Sequence, residues 1–132
     1  MAKFDVQNPG EEVLAFLSEY HLATLTIVKE DGSPHVTAVG FTYDQVSSVA
    51  RVITWADSWK ARHVHGRASV PAAICSVDGG RWLTFSGNAS VTNDPESVAE
   101  GVRRYAERYR QPGDRDDRVV IEVAVDKIVG RA

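Results

Sequence analysis

The 132 residues predict a mainly β domain with a few helices, closed into a small β-barrel. Short runs rich in Val, Ile, Thr and aromatic residues recur along the chain, separated by Asp-Gly and Gly-Gly turns. Helix-start signals occur at only a few places. The longest strand segment, Arg81 to Val91, contains Gly87, where a bulge or the close approach of another backbone can bend it between sheets. Short strands joined by hairpins must close into a barrel or pair into a sandwich to hide their edges, and the bend favours the barrel.

Taken in order, Asn8-Pro9-Gly10-Glu11 reads as a helix start, with Asn8 as N-cap and Pro9 at the first position. Val13, Leu14, Phe16 and Leu17 follow at helical spacing, and the helix should end near Glu19-Tyr20. Leu22 to Val28 reads as a strand. Asp31-Gly32 marks a hairpin turn. Pro34 to Tyr43 resumes as a strand that tolerates proline only at its start. Asp44 to Ser48 turns, and Val49 to Thr54 completes an expected three-stranded meander. Asp57 or Ser58 caps a short helix to about Arg67. Val70 to Val77 and Arg81 to Val91 flank the turn Asp78-Gly79-Gly80. Asp94-Pro95 opens a helix whose Val98, Val102, Tyr105 and Tyr109 fall on one expected buried face. Gln111 to Asp117 is a charged loop, and Val119 to Val125 is a sixth strand that Ile128-Val129 can extend. No repeat or linker divides the chain, so residues 1–132 read as one domain.

Composition narrows the function classes. A net charge of −3 and a pI near 5.8 exclude a general nucleic-acid binder. No apolar run approaches the ~20 residues that span a bilayer, and the N-terminus lacks a signal-peptide core, so a cytoplasmic protein is expected. The single cysteine, Cys75, lies in an apolar run and reads as an inert thiol. The four histidines show no metal-ligand spacing, and no metal site is expected. Walker, Rossmann and nucleophile-elbow motifs are absent.

Three segments can carry chemistry. In Ile53 to His63 a strand ends, hydroxyl residues follow, and a helix begins. Thr54 and Ser58 offer hydroxyls, the helix N-terminus offers free N–H groups, and Lys60 and Arg62 add charge, which together suit a phosphate. A plain capped helix with solvated basic residues accounts for the same spacing. In His35 to Phe41, the small residues Ala38 and Gly40 let a flat ring lie on the strand; a closely packed neighbouring strand would also require them. In Arg81 to Ala89, Trp82 suits a cofactor stack, a dimer interface or an ordinary core. Arg103, Arg104, Arg108 and Arg110 form a basic helix surface, read either as solvated or as a contact for acidic ligand groups.

Together these segments resemble the flavin and deazaflavin oxidoreductases built on the pyridoxamine-5′-phosphate-oxidase-like split β-barrel. The resemblance is carried by Leu22-Ala23-Thr24-Leu25-Thr26, by Asp31 to Val36, by Ile53-Thr54 with Ser58-x-Lys60-Ala61, and by Arg81-Trp82 through Gly87-x-Ala89. It implies that Thr54, Ser58 and Lys60 hold a cofactor phosphate. It implies too that His35, Val36, Thr37, Ala38 and Val39 line an isoalloxazine-type ring, and that two chains build each site, with Trp82 near the partner's cofactor. The phrases Leu17-Ser18-Glu19-x-His21-Leu22-Ala23, Val39-Gly40-Phe41-Thr42, Gly80-Arg81-Trp82-Leu83 and Arg104-Tyr105-Ala106-x-Arg108-Tyr109-Arg110 resemble the F420-dependent biliverdin reductase branch. Trp59 stands where flavin mononucleotide (FMN) members carry an arginine beside the phosphate lysine.

The resemblance thus implies a homodimeric oxidoreductase using coenzyme F420, an 8-hydroxy-5-deazaflavin. It passes a hydride to a conjugated small-molecule acceptor such as the tetrapyrrole biliverdin; from charge alone, Arg104 and Arg108 are expected to pair with the propionates of such a molecule. An FMN-dependent oxidoreductase of the same fold and a non-catalytic cofactor- or tetrapyrrole-binding protein are the alternatives. No residue identifies itself as a proton donor.

Overall fold

The computed structural model describes all residues, Met1–Ala132. The elements run β1 (Ala2–Phe4), α1 (Glu11–Ser18), β2 (Ala23–Val28), β3 (Pro34–Val39), β4 (Thr42–Asp44), β5 (Val49–Trp55), α2 (Trp59–Val64), β6 (Pro71–Asp78), β7 (Arg81–Thr92), α3 (Pro95–Arg108) and β8 (Arg118–Arg131). All strand pairs are antiparallel, in the order β3-β2-β6-β7-β8-β5-β4, with β1 added to β8. The two ends of this path, β3 and β4, are consecutive in the chain. The strand expected from Pro34 to Tyr43 is therefore two strands broken at Gly40-Phe41. Its first part pairs with β2 and its second with β5, so the chain itself bridges the open edges of the sheet. The expected three-stranded meander does not form.

Alternation sets the core. Ala23, Leu25 and Ile27 of β2, Ile74 of β6, Leu83 and Phe85 of β7, and Ile121, Val123 and Val125 of β8 point inward and pack with Phe16 of α1 and Phe41. Strand β8 is the spine, pairing with β5 at its start, β7 along most of its length and β1 at its end. The register of β7 against β8 shifts between Ser86 and Gly87. A Cβ on Gly87 would lie 1.9 Å from the Ala124 carbonyl oxygen, so the bulge and the close backbone approach expected there coincide.

The helix starts differ from expectation in one case. Asp94 caps α3, its carboxylate accepting from the Ser97 N–H at 3.0 Å, and Ser58 rather than Asp57 caps α2. Asn8 does not cap α1. Its N–H, like that of Gln7, donates to the Asp5 carboxylate, so the chain is still turning there. The helix begins three residues later behind Gly10, whose φ of 96° suits glycine. On α3 the expected face is half-buried, and the fully buried residue is Gly101.

Helix α3 also secures the break between β3 and β4. Phe41 donates its N–H to the Tyr109 hydroxyl at 3.2 Å, and the same hydroxyl donates to the His21 carbonyl at 2.7 Å. The Phe41 carbonyl accepts from Arg108 Nη1 at 2.7 Å, and the Arg108 guanidinium lies 4.8 Å from the Phe41 ring centre.

Candidate functional site

A cavity of about 450 Å³ opens between β3, β5, the start of α2, the last turn of α3 and the loop before β8. Its floor is small or apolar: Ala38, Val39 and Gly40 from the β3 end, and Val52 and Ile53 from β5. One side is cationic, with Lys60 from α2 and Arg115 and Arg118 from the loop and strand beyond α3.

Lys60 is the electrostatic centre. Its ammonium lies 5.1 Å from the Trp55 ring centre, and no carboxylate pairs with it. Burial pushes its pKa below the usual lysine value, because the charged form is partly stripped of water. An anion in the cavity would offset that cost. Arg115 lies 4.9 Å from the same Trp55 ring and also pairs with Asp117. Arg118 donates to the Gly113 carbonyl at 2.6 Å, and the Ala56 N–H donates to the Asp117 carbonyl at 2.9 Å, so this loop is fastened to the end of β5.

The sequence candidates divide into two sets. Thr54, Lys60, Ala38 and Val39 line the cavity together. Ser58 lies just behind it. Its Oγ accepts from Thr54 at 2.9 Å and from the Ala61 N–H at 3.3 Å, so it works as the helix cap and orients Thr54. The remaining candidates do not line the cavity of one chain. Of β3 only Ala38 and Val39, at its end, line the cavity; His35, Val36 and Thr37 stand earlier on the strand and do not. The His35 ring instead meets His63, 4.9 Å away, and burial with nearby cationic groups holds its pKa below the usual histidine value. Trp59 is 65% exposed and packs on His63 and Arg62. Trp82 is half-buried on the outer face, opposite Val77.

The basic surface of α3 is not a free array of cations. Arg103 pairs with Glu100 and Glu107, and Arg104 pairs with Glu100 and Asp44. Arg108 donates to the Glu19 and Phe41 carbonyls. Arg104 and Arg108, expected from charge to meet substrate carboxylates, thus have partners within the chain, and both also line a smaller cavity beside Thr42 and Tyr43. The fold also gathers Glu19, His21 and Asp78, which sequence spacing did not suggest. Arg81 pairs with both carboxylates, making the group an ion-pair cluster that ties α1 to the β6–β7 turn.

Sequence reasoning missed Trp55, Tyr105, Arg115 and Arg118 as cavity residues. By sequence, Gln111 to Asp117 reads only as a charged loop, in which Arg115 stands among three aspartates, and neither arginine is singled out.

Residues 9–131 match the family profile described as pyridoxamine 5′-phosphate oxidase. The chain is 48% identical over 123 residues to an F420H2-dependent biliverdin reductase of Mycobacterium tuberculosis (strain CDC 1551 / Oshkosh), covering 93% of this chain and 88% of that one. Among solved structures, one described as an F420 reductase superposes with a TM-score of 0.69 at 25% identity, covering 91% of this chain and 98% of that chain. A conserved hypothetical protein of Mycobacterium tuberculosis superposes with a TM-score of 0.72 at 21% identity, covering 98% and 89% of the two chains, and supports the fold.

Proposed function

Because this chain belongs to the pyridoxamine 5′-phosphate oxidase family, we propose that it is an F420-dependent oxidoreductase that reduces a conjugated acceptor, with biliverdin the first acceptor to test. The observation that carries this reading is Lys60: a half-buried cation without a carboxylate partner, at the edge of a cavity with a small, apolar floor. A phosphate-bearing flat cofactor meets both requirements. The match to the F420H2-dependent reductase over nearly the whole chain supports the deazaflavin.

In this reading Lys60 holds the phosphate, with Arg115 and Arg118 beside it, and Thr54 lies in the wall with its hydroxyl fixed by Ser58. Ala38, Val39 and Gly40 leave room for the ring against the β3 backbone. The bound deazaflavin supplies the hydride; the chain's part is to bind, orient and shield. The protein is proposed to act in the cytoplasm, and no helix is long and apolar enough to cross a membrane.

The reading includes a homodimer. On β2, β3, β6 and β7 the outward residues from Thr24 and Val36 to Cys75, Val77 and Trp82 include no charged side chain. Val36 and Val77 are 57% and 61% exposed. An uncharged, partly apolar face of this kind suits a second copy of the chain. Ala38 belongs both to this face and to the cavity wall, so a partner docked there would also border the bound ring.

The test is a fluorescence titration of the wild type and Lys60→Ala with oxidised F420 and, separately, with FMN. The wild type should bind F420, and Lys60→Ala should bind it more weakly by about 1.5–3 kcal/mol. Preference for FMN would move the protein to the flavin branch. Equal affinity in the variant would remove Lys60 from the phosphate site. Absorbance loss of biliverdin in the presence of reduced F420 then tests the acceptor.

A further inference from the structure

Two tyrosines one turn apart, Tyr105 in the last turn of α3 and Tyr109 at its C-cap, have hydroxyls with different fates. The Tyr109 hydroxyl is fully engaged with the backbone of Phe41 and His21. The Tyr105 hydroxyl has no hydrogen-bond partner in the chain, and it is not sealed away from solvent. Tyr105 lines the cavity.

The sequence fixes the Tyr105 ring through two glycines. Gly101 lies one turn earlier on the same face of α3. A Cβ there would sit 3.1 Å from Ile53 Cγ2 and from Val120 Cγ2, so the missing side chain lets the helix lie close on β5 and β8. Beneath the ring, a Cβ on Gly40 would sit 3.0 Å from Tyr105 Cε2. The Tyr109 ring supports it from the next turn, with ring centres 5.0 Å apart. A side chain already held in place loses little freedom when a ligand binds.

The cavity's polarity is uneven. Its cations come from α2, the loop before β8 and the first residue of β8, with Asp114 from the same loop, whereas Ala38, Val39, Gly40, Val52 and Ile53 supply apolar lining. Tyr105 packs on Gly40 of that apolar lining, and unlike Thr54, whose hydroxyl is engaged by Ser58, its hydroxyl has no partner in the chain. Flavin and deazaflavin rings carry carbonyl oxygens and a ring N–H along one edge, and these need partners once removed from water.

We infer that Tyr105 hydrogen-bonds the polar edge of the ring bound in this cavity and so fixes the ring's orientation on the β3 floor. This rests on the cofactor reading above. Tyr105 would be a ring-positioning residue, donating to a carbonyl oxygen or accepting from the ring N–H.

Tyr105→Phe keeps the packed ring and removes only the hydroxyl. Oxidised F420 is titrated into the wild type and the variant, following fluorescence for affinity and absorbance for the environment of the bound ring; thermal unfolding is measured without cofactor. The expected result is binding weaker by about fivefold, a displaced absorption band of the bound ring, and an unchanged unfolding temperature. The same affinity and the same band as the wild type would overturn the inference. So would a loss of stability in the cofactor-free variant comparable to that of a buried hydroxyl, which would make the group structural. If the wild type binds neither F420 nor FMN, the cofactor reading itself falls, and this inference with it.

Discussion

Replacing Tyr109 with phenylalanine removes one oxygen atom and keeps the ring. That oxygen accepts from the Phe41 N–H at 3.2 Å and donates to the His21 carbonyl at 2.7 Å. Phe41 is 0% exposed, so its N–H has no route to water once the hydroxyl is gone. Leaving a buried donor unpaired costs about 1–3 kcal/mol, and loss of the second bond adds about 0.5–1.5 kcal/mol. Some of this is recovered by local relaxation, so a net loss of about 2–3 kcal/mol is expected. For a chain of 132 residues, an unfolding entropy of about 2.1 cal/mol/K per residue converts this to a fall in Tm of about 7–11 °C. The assay is thermal unfolding by circular dichroism, with urea unfolding to check that the m-value is unchanged. A fall below about 2 °C would refute the claim that α3 secures the break between β3 and β4.

Two other outcomes follow from the described geometry. His35 has a folded pKa below its unfolded value, through burial first and the neighbouring cationic groups second. The unfolded chain therefore takes up more protons there, and stability should fall as pH drops through about 6.5 toward the lower folded value. In His35→Gln the fall in Tm between pH 7.5 and 5.5 should be shallower; parallel curves would count against the shift. Val77→Lys places a charge in the uncharged outer sheet face, so light scattering should report a monomer where the wild type is a dimer, and a wild type that is monomeric at micromolar concentration would remove the proposed interface.

The parts of the fold that local chemistry governs were readable. Asp31-Gly32 announced a hairpin, Asp94-Pro95 a helix start, and Gly87 a bulge, because each signal acts within a few residues. The break at Gly40-Phe41 was not readable. In Pro34 to Tyr43 the one irregular residue, Gly40, reads as room for a ring or a close neighbouring strand, whereas it sits at the break, packed against Tyr105 and Tyr109 from far along the chain. β1 is only three residues long and exists by pairing with the end of β8. The same division holds at the site. Thr54 and Lys60 stand at a strand–helix boundary whose chemistry is local. Arg115 and Arg118 stand at the cavity in a segment whose Asp117 carbonyl accepts from the Ala56 N–H at the end of β5, a long-range contact that no spacing rule reports.

The position of β8 as the partner of β1, β5 and β7 has a kinetic consequence. All three partners are synthesised before it. Until β8 has emerged from the ribosome, β5 and β7 have no neighbour on that side, and the sheet is left as two unconnected groups, β3-β2-β6-β7 and β5-β4, with β1 unpaired. Pairing across such sequence separations closes long loops, which places this domain among the slow folders expected of high contact order. The unpaired edges of β5 and β7 are then exposed during synthesis, at the stage when a nascent chain is most open to chaperones and to aggregation.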